Sequence, residues 1–142
     1  MTIRAILQDR EQTVLFIDPS ASVSEAVALL AQKRIGALPV VKDGEVVGIF
    51  SERDVIYGLA REGEAMMARP LGDVMTSPAI TVDMDTPALT ALSMMSRRRI
   101  RHLPVVDGGV LAGFVSIGDL VKYRIDRIET EAAAMRDYIQ MS

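Results

Sequence analysis

Arg34-Ile35-Gly36-Ala37-Leu38-Pro39-Val40-Val41 returns sixty-five positions later as Arg99-Ile100-Arg101-His102-Leu103-Pro104-Val105-Val106. The register continues without a gap. Gly48-Ile49-Phe50-Ser51-Glu52-Arg53-Asp54 is matched by Gly113-Phe114-Val115-Ser116-Ile117-Gly118-Asp119, and upstream Asp18 meets Asp83 and Ala26 meets Ala91. Residues 14–57 and 79–122 share 12 identities, and many other pairs exchange one apolar residue for another. The chain is one unit written twice, so its function is expected in what two such units make together.

Each unit reads strand, helix, strand, strand, helix. The β-branched and aromatic run Thr13-Val14-Leu15-Phe16-Ile17 predicts a strand, stopped by Asp18-Pro19-Ser20. Ser22 and Glu25 are spaced as a capping box, and Val23, Ala26, Val27 and Leu30 then share one helix face. In the second unit Thr86 is the expected cap, with Pro87 at the first helical position, and Ala88, Ala91, Leu92 and Met95 form the apolar face. Leu38 to Val41 and Val46 to Phe50, joined at Lys42-Asp43-Gly44, predict a hairpin; Leu103 to Val106 and Val110 to Val115 repeat it. Pro39 and Pro104 cannot donate to a ladder and are expected at a strand start or edge.

These elements predict an α/β (α+β) chain of two β-α-β-β-α units, spanning residues 1–62 and 77–127. Residues 63–76 read as a connector that ends in a short helix at Pro70-Leu71-Gly72-Asp73-Val74-Met75-Thr76. Ile3 to Leu7 is expected to play the same part for the first unit. Residues 128–142 extend the last helix. From Val121 the apolar positions Ile125, Ile128, Ala132, Met135 and Ile139 alternate four and three apart. Such a stripe packs either on its own domain or on another subunit, and its extension beyond the repeat favours the second.

The chain of 142 residues has room for one ordinary domain with a real core. With 4% aromatics and no Trp, that core must be aliphatic, and the nine Met are adaptable filling within it. A net charge of -3 gives no general attraction to nucleic acid or anionic membrane. No Cys means no disulfide, no thiol chemistry and no sulfur-ligated metal. No run reaches the length of a membrane helix and the start lacks a secretory signal, so the expected compartment is the cytoplasm.

Ser51-Glu52-Arg53-Asp54 and Ser116-Ile117-Gly118-Asp119 are the sharpest candidate sites. In each, a buried strand ends and a helix begins at the Ser. The helix start offers N–H groups and partial positive charge to a phosphate, and an Asp in the first turn can accept from ribose hydroxyls. Ser-x-x-Asp is also a capping box, which would suffice for one copy. Two copies at matched positions favour a shared binding role.

The two units resemble a pair of cystathionine-β-synthase-type (CBS) domains. The resemblance is carried by the Leu-Pro-Val-Val strand, the Gly-apolar-apolar-Ser-x-x-Asp turn and the Asp-Val-Met-Thr lead-in at Asp73 to Thr76. It covers nearly the whole chain and is nearest to small stand-alone bacterial proteins of one such pair, with related plant organellar proteins. It implies two units packed through their sheets about a pseudo-twofold axis, with two clefts for adenosine compounds: AMP, ADP, ATP, and in some members NAD or S-adenosylmethionine. By that resemblance Asp54 and Asp119 would hold ribose, and Ser51 and Ser116 would approach phosphate. Arg101 and His102 match the basic positions before the Leu-Pro strand, where the first unit has Gly36 and Ala37. Arg53 would supply charge on the first side. Ile17, Thr81 and Val82, with Ile35, Ile100, Leu103 and Pro104, would frame the adenine.

Enzyme signatures are missing. There is no G-x-x-x-x-G-K-[ST] loop and no G-x-G-x-x-G fingerprint, and one His without Cys assembles neither a metal site nor a nucleophilic triad. Arg97, Arg98 and Arg99 suit a helix C-terminus rather than a nucleic-acid surface. The expected protein is therefore a regulatory module without a catalytic cofactor. It binds an adenine nucleotide, forms a homodimer and passes its bound state to a downstream partner. The rival is a ligand-independent dimeric scaffold.

Overall fold

A computed structural model describes residues 1–8 and 14–141. Its elements are α1 (Ile3–Gln8), α2 (Val23–Lys33), β1 (Ala37–Lys42), β2 (Glu45–Ser51), α3 (Glu52–Glu62), α4 (Leu71–Val74), β3 (Val82–Asp83), α5 (Ala88–Arg98), β4 (His102–Asp107), β5 (Val110–Ser116) and α6 (Ile117–Met141). A 3-10 turn, Gly63–Ala68, joins α3 to α4.

The two hairpins form as their composition dictates. β1 and β2 turn at Asp43 and Gly44, and β4 and β5 at Gly108 and Gly109, with φ positive at all four positions. Such turns match the twist of paired strands, and Gly or Asp adopts them at little cost. Both hairpins are antiparallel, and each register shifts once, between Val40 and Val41 and between Val105 and Val106. The strand order is β1-β2-β5-β4-β3, and the hairpins join edge to edge at the single pair Glu45–Val110. Pro39 and Pro104 are third in their strands rather than first, and β1, which carries Pro39, is an edge strand of the sheet. Each lies one residue before the stretch that the unit's leading strand covers, at Val40 and Val105.

The leading strands are shorter than their composition suggests. β3 has two residues, and its counterpart is the isolated bridge of Ile17 to Val40; Thr13 lies outside the described residues. α2 starts as expected, with the Ser22 hydroxyl accepting from the Glu25 N–H at 3.1 Å. α5 starts one residue later than expected, with Pro87 rather than Thr86 as its cap. The Thr86 hydroxyl is engaged elsewhere: it accepts from the Asp83 N–H and donates to the Asp83 carboxylate.

Two clusters make the core, aliphatic and Met-filled except for Phe50, the largest fully buried side chain. One holds Val23, Ala26, Leu30, Leu38, Val40, Phe50, Met66 and Leu71. The other holds Ala88, Ala91, Met95, Leu103, Val105, Val115 and Leu120, together with Ile3 and Ile6. The lead-in helices are thus crossed. α1, which precedes the first unit, packs on the second, whereas α4, which leads into the second unit, packs on the first. The crossing is reciprocal in detail. Leu71 and Gly72 donate to Ala21 and Pro19; Ile3 and Arg4 donate to Thr86 and Met84, the same positions of the other unit. Matched contacts of this kind are what an approximate twofold relation between the units requires.

α6 departs from this economy. Leu120 is buried and Tyr123 packs on the second cluster, but from Arg124 to Met141 every residue except half-buried Ala133 is exposed. The apolar stripe on this helix stays exposed among the described residues.

Candidate functional site

Both Ser-x-x-Asp turns are capping boxes. The Asp54 carboxylate accepts from the Ser51 N–H at 2.9 Å, and the Ser51 hydroxyl from the Asp54 N–H at 3.4 Å. The Asp119 carboxylate accepts from the Ser116 N–H at 2.7 Å, and the Ser116 hydroxyl from the Asp119 N–H at 3.1 Å. Capping therefore fixes each Asp in the first turn of α3 or α6, with the rotamer set by the backbone. Each box uses one carboxylate oxygen, Oδ2.

Ser116 and Asp119 open onto a cleft of about 410 Å³. Its walls come from both units. Val14, Leu15 and the run Arg34 to Pro39 face Ala112, Gly113, Phe114 and His102 across it, and Leu7 of α1 closes one side. A volume of this size suits a small organic ligand, as do walls that combine apolar side chains with polar groups. The repeat explains the composite wall, since an approximate twofold relation sets the hairpin start of one unit against the Ser-x-x-Asp turn of the other.

His102 reaches across this boundary. Its ring stacks on Phe114 at 5.5 Å between centroids and 9° between planes. A Cβ at Gly36 would lie 3.4 Å from its ring, so the small residue of one repeat sits directly beside the large residue of the other. Burial lowers the His102 pKa from 6.5; Asp119 and Glu52 oppose that shift and Arg101 adds to it. The imidazole is a half-buried group with two carboxylates nearby, placed to gain a proton when further negative charge arrives.

Of the residues singled out in the sequence, Ile35, His102, Ser116 and Asp119 meet in this cleft. Ser51 and Asp54 form the matched turn of the other unit. Ile100, Arg101, Leu103 and Pro104 repeat Ile35, Gly36, Leu38 and Pro39 but do not line this cleft. At the turn of Ser51 and Asp54 the connector closes in. Ile49 and Thr76 exchange two backbone hydrogen bonds of 2.9 Å, and the Thr76 hydroxyl donates to Asp54 Oδ1 at 2.9 Å. Gly48 permits this approach, because a Cβ there would lie 2.8 Å from the Thr76 carbonyl oxygen and 2.6 Å from Met75 Sδ.

Arg53 points elsewhere, donating to the Arg99 carbonyl at 3.1 Å at the end of α5. Arg101 is exposed, Leu103 and Val82 are buried in the second cluster, Ile17 and Ile100 pack against the cores, and Thr81 is half-buried. The cation that does line the cleft with Asp119 is Arg34, the left-handed residue ending α2. Sequence reasoning missed it, although Arg34 and Arg99 stand at the head of the repeated stretch. The missing information was which unit's arginine faces which unit's Asp.

The comparisons with known proteins follow this geometry. A model of the CBS domain matches residues 10–61 and 71–126. The chain belongs to the CBS-domain family. It is 37% identical over 124 residues to the CBS domain-containing protein CBSX3, mitochondrial, of Arabidopsis thaliana, covering 84% of this chain and 60% of that relative's length. Among solved structures it is similar to the CBS-domain protein ATU1752 of Agrobacterium tumefaciens (TM-score 0.82, 34% identity, 87% of this chain and 99% of that one). CBSX2 in complex with AMP aligns at TM-score 0.72 and 30% identity, over 82% of this chain and 90% of that one. The CBS domain pair of protein MJ0100, in complex with 5'-methylthioadenosine and S-adenosyl-L-methionine, aligns at TM-score 0.78 and 25% identity, over 89% of this chain and 98% of that one. Among the described residues no helix is long and apolar enough to cross a membrane.

Proposed function

We propose that this CBS pair is a non-catalytic regulatory module that binds an adenine nucleotide in the cleft between its units and signals through the change in arrangement that binding favours. AMP, ADP and ATP are the first candidates, with NAD and S-adenosylmethionine as larger members of the same class. One observation carries the reading: a helix-start carboxylate, Asp119, shares a two-unit cleft of mixed apolar and polar lining with His102 and Arg34. The apolar walls suit an adenine, the carboxylate suits the paired hydroxyls of a ribose, and the two basic groups suit a phosphate. The AMP complex of CBSX2 and the adenosine-ligand complex of MJ0100 support the ligand class.

Because both units contribute walls, a ligand that bridges them has different affinity for different relative placements of the units, which is the physical basis of a population shift. The module acts as a homodimer in the cytoplasm and hands its state to a downstream protein. Calorimetry with AMP, ADP, ATP, NAD and S-adenosylmethionine tests the reading. Binding of at least one, lost in Asp119→Ala, is the expected result. If none binds, and Asp119→Ala changes only thermal stability, the chain is a ligand-independent scaffold instead.

A further inference from the structure

We infer that residues 121–139 of α6 form a parallel, in-register two-stranded coiled coil with a second copy of this chain. The inference rests on the homodimer reading above and specifies its surface and direction; it is independent of which ligand the cleft takes.

The stripe of Val121, Ile125, Ile128, Ala132, Met135 and Ile139 alternates four and three residues, which makes Ile125, Ala132 and Ile139 the a positions and Val121, Ile128 and Met135 the d positions of a heptad. Ile125 is 49% exposed, Ile128 48% and Met135 62%. At about 100° per residue the stripe points about 100° away from the Leu120 side that faces its own unit. A second helix can therefore lie alongside without displacing the core contacts of the first. A projecting helix of this length is marginal in water unless an apolar face is covered.

Charge decides what covers it. The flanking g positions are Arg124, Glu131 and Tyr138, and the flanking e positions are Lys122, Glu129 and Arg136. In a parallel pair each g residue meets the e residue five places on in the other helix. Arg124 then faces Glu129 of the second copy and Glu131 faces Arg136, and the twofold repeats both contacts. All four pairs are attractive. An antiparallel pairing that overlaps the whole stripe sets Glu129 against Glu129, Glu131 against Glu131 and Lys122 against Arg136. All of these are repulsive. The sequence thus favours one partner, a copy of itself, and one direction.

Sedimentation velocity of the full chain, with and without Glu129→Arg plus Glu131→Arg, tests the surface. The expected result is a dimer whose self-association weakens roughly a hundredfold in the variant, because four attractive contacts become repulsive. Mixing that variant with Arg124→Glu plus Arg136→Glu should restore association, and circular dichroism of each variant checks that the chain remains folded. Direction is read from Ile139→Cys in the full chain, which otherwise has no Cys. In register, the two sulfurs come within disulfide reach, at Cα separations of about 4.4–6.8 Å. Antiparallel helices hold them more than about 15 Å apart, at about 1.5 Å per residue. A monomeric wild-type chain overturns the homodimer reading itself. A dimer insensitive to the charge reversals overturns the coiled coil while leaving the homodimer standing. Charge sensitivity without cross-linking overturns the parallel direction.

Discussion

Replacing His102 with Phe should separate the phosphate from the rest of a bound nucleotide. Phe keeps the ring that stacks on Phe114 at 5.5 Å and keeps the contact with Gly36, so the cleft retains its shape. What it removes is a group that can take up a proton. In the ligand-free cleft, burial holds the His102 pKa below 6.5, so the imidazole is neutral at neutral pH. A phosphate nearby favours the protonated form and pulls the pKa up, so binding takes up a proton. Affinity for AMP should then rise as pH falls from about 8 to about 6.5, by at most about tenfold per pH unit, until the phosphate itself protonates near pH 6. A charge-assisted hydrogen bond contributes roughly 1.5–3 kcal/mol, so His102→Phe should weaken AMP about 10- to 100-fold at the lower pH. Adenosine, which lacks the phosphate, should bind both proteins alike and show little pH dependence. Isothermal titration of both ligands at both pH values measures each quantity. A His102→Phe protein that binds AMP with wild-type affinity and wild-type pH dependence would refute the reasoning. The same lowered pKa acts on stability with a definite sign. Below about 6.5 the unfolded chain binds the proton more readily than the folded one, so the stability contributed by neutral His102 is present above 6.5 and lost as pH falls through the folded value.

Asp119→Ala should abolish measurable nucleotide binding and lose about 0.5–2 kcal/mol of stability from the start of α6, read by calorimetry and thermal denaturation together. Gly48→Val should lower stability by roughly 1–3 kcal/mol, because its Cβ would press on the Thr76 carbonyl, and should increase hydrogen exchange at the Ile49 and Thr76 amides. Leu38→Ala and Leu103→Ala, each fully buried in a different cluster, should each cost about 2–5 kcal/mol in denaturant unfolding. Their double variant should lose the sum to within about 0.5 kcal/mol; a clear shortfall would mean that the two cores are one.

The hairpins and the faces of α2 and α5 were legible because short-range chemistry dictates them: Asp-Gly and Gly-Gly at the turns, and apolar residues three and four apart on the helices. The Ser-x-x-Asp turns were legible twice over, as caps and as candidate ligands, because their geometry is local. What the sequence hid is non-local. Nothing in Arg34 announces that it faces Asp119 rather than Asp54. Arg53 looked like a phosphate ligand because it adjoins Asp54, yet its long side chain reaches the last carbonyls of α5. Thr86 has the composition of a cap, but Asp83 competes for its hydroxyl. The equivalence of Ile3 to Leu7 with Leu71 to Met75 could be read from composition, whereas the exchange of partners between them could not.

That exchange constrains the order in which the chain can acquire its structure. The first unit's cluster is completed by Met66 and Leu71, which follow it directly in the chain. α1 packs instead on distant residues: Arg4 pairs with Asp85, 81 positions away. α1 must therefore wait for elements of the second unit before it can dock, and closing so long a loop belongs to the late, slow part of folding. Damage to α1 should accordingly be felt in the second unit, whose core lacks Ile3 and Ile6 until that helix docks.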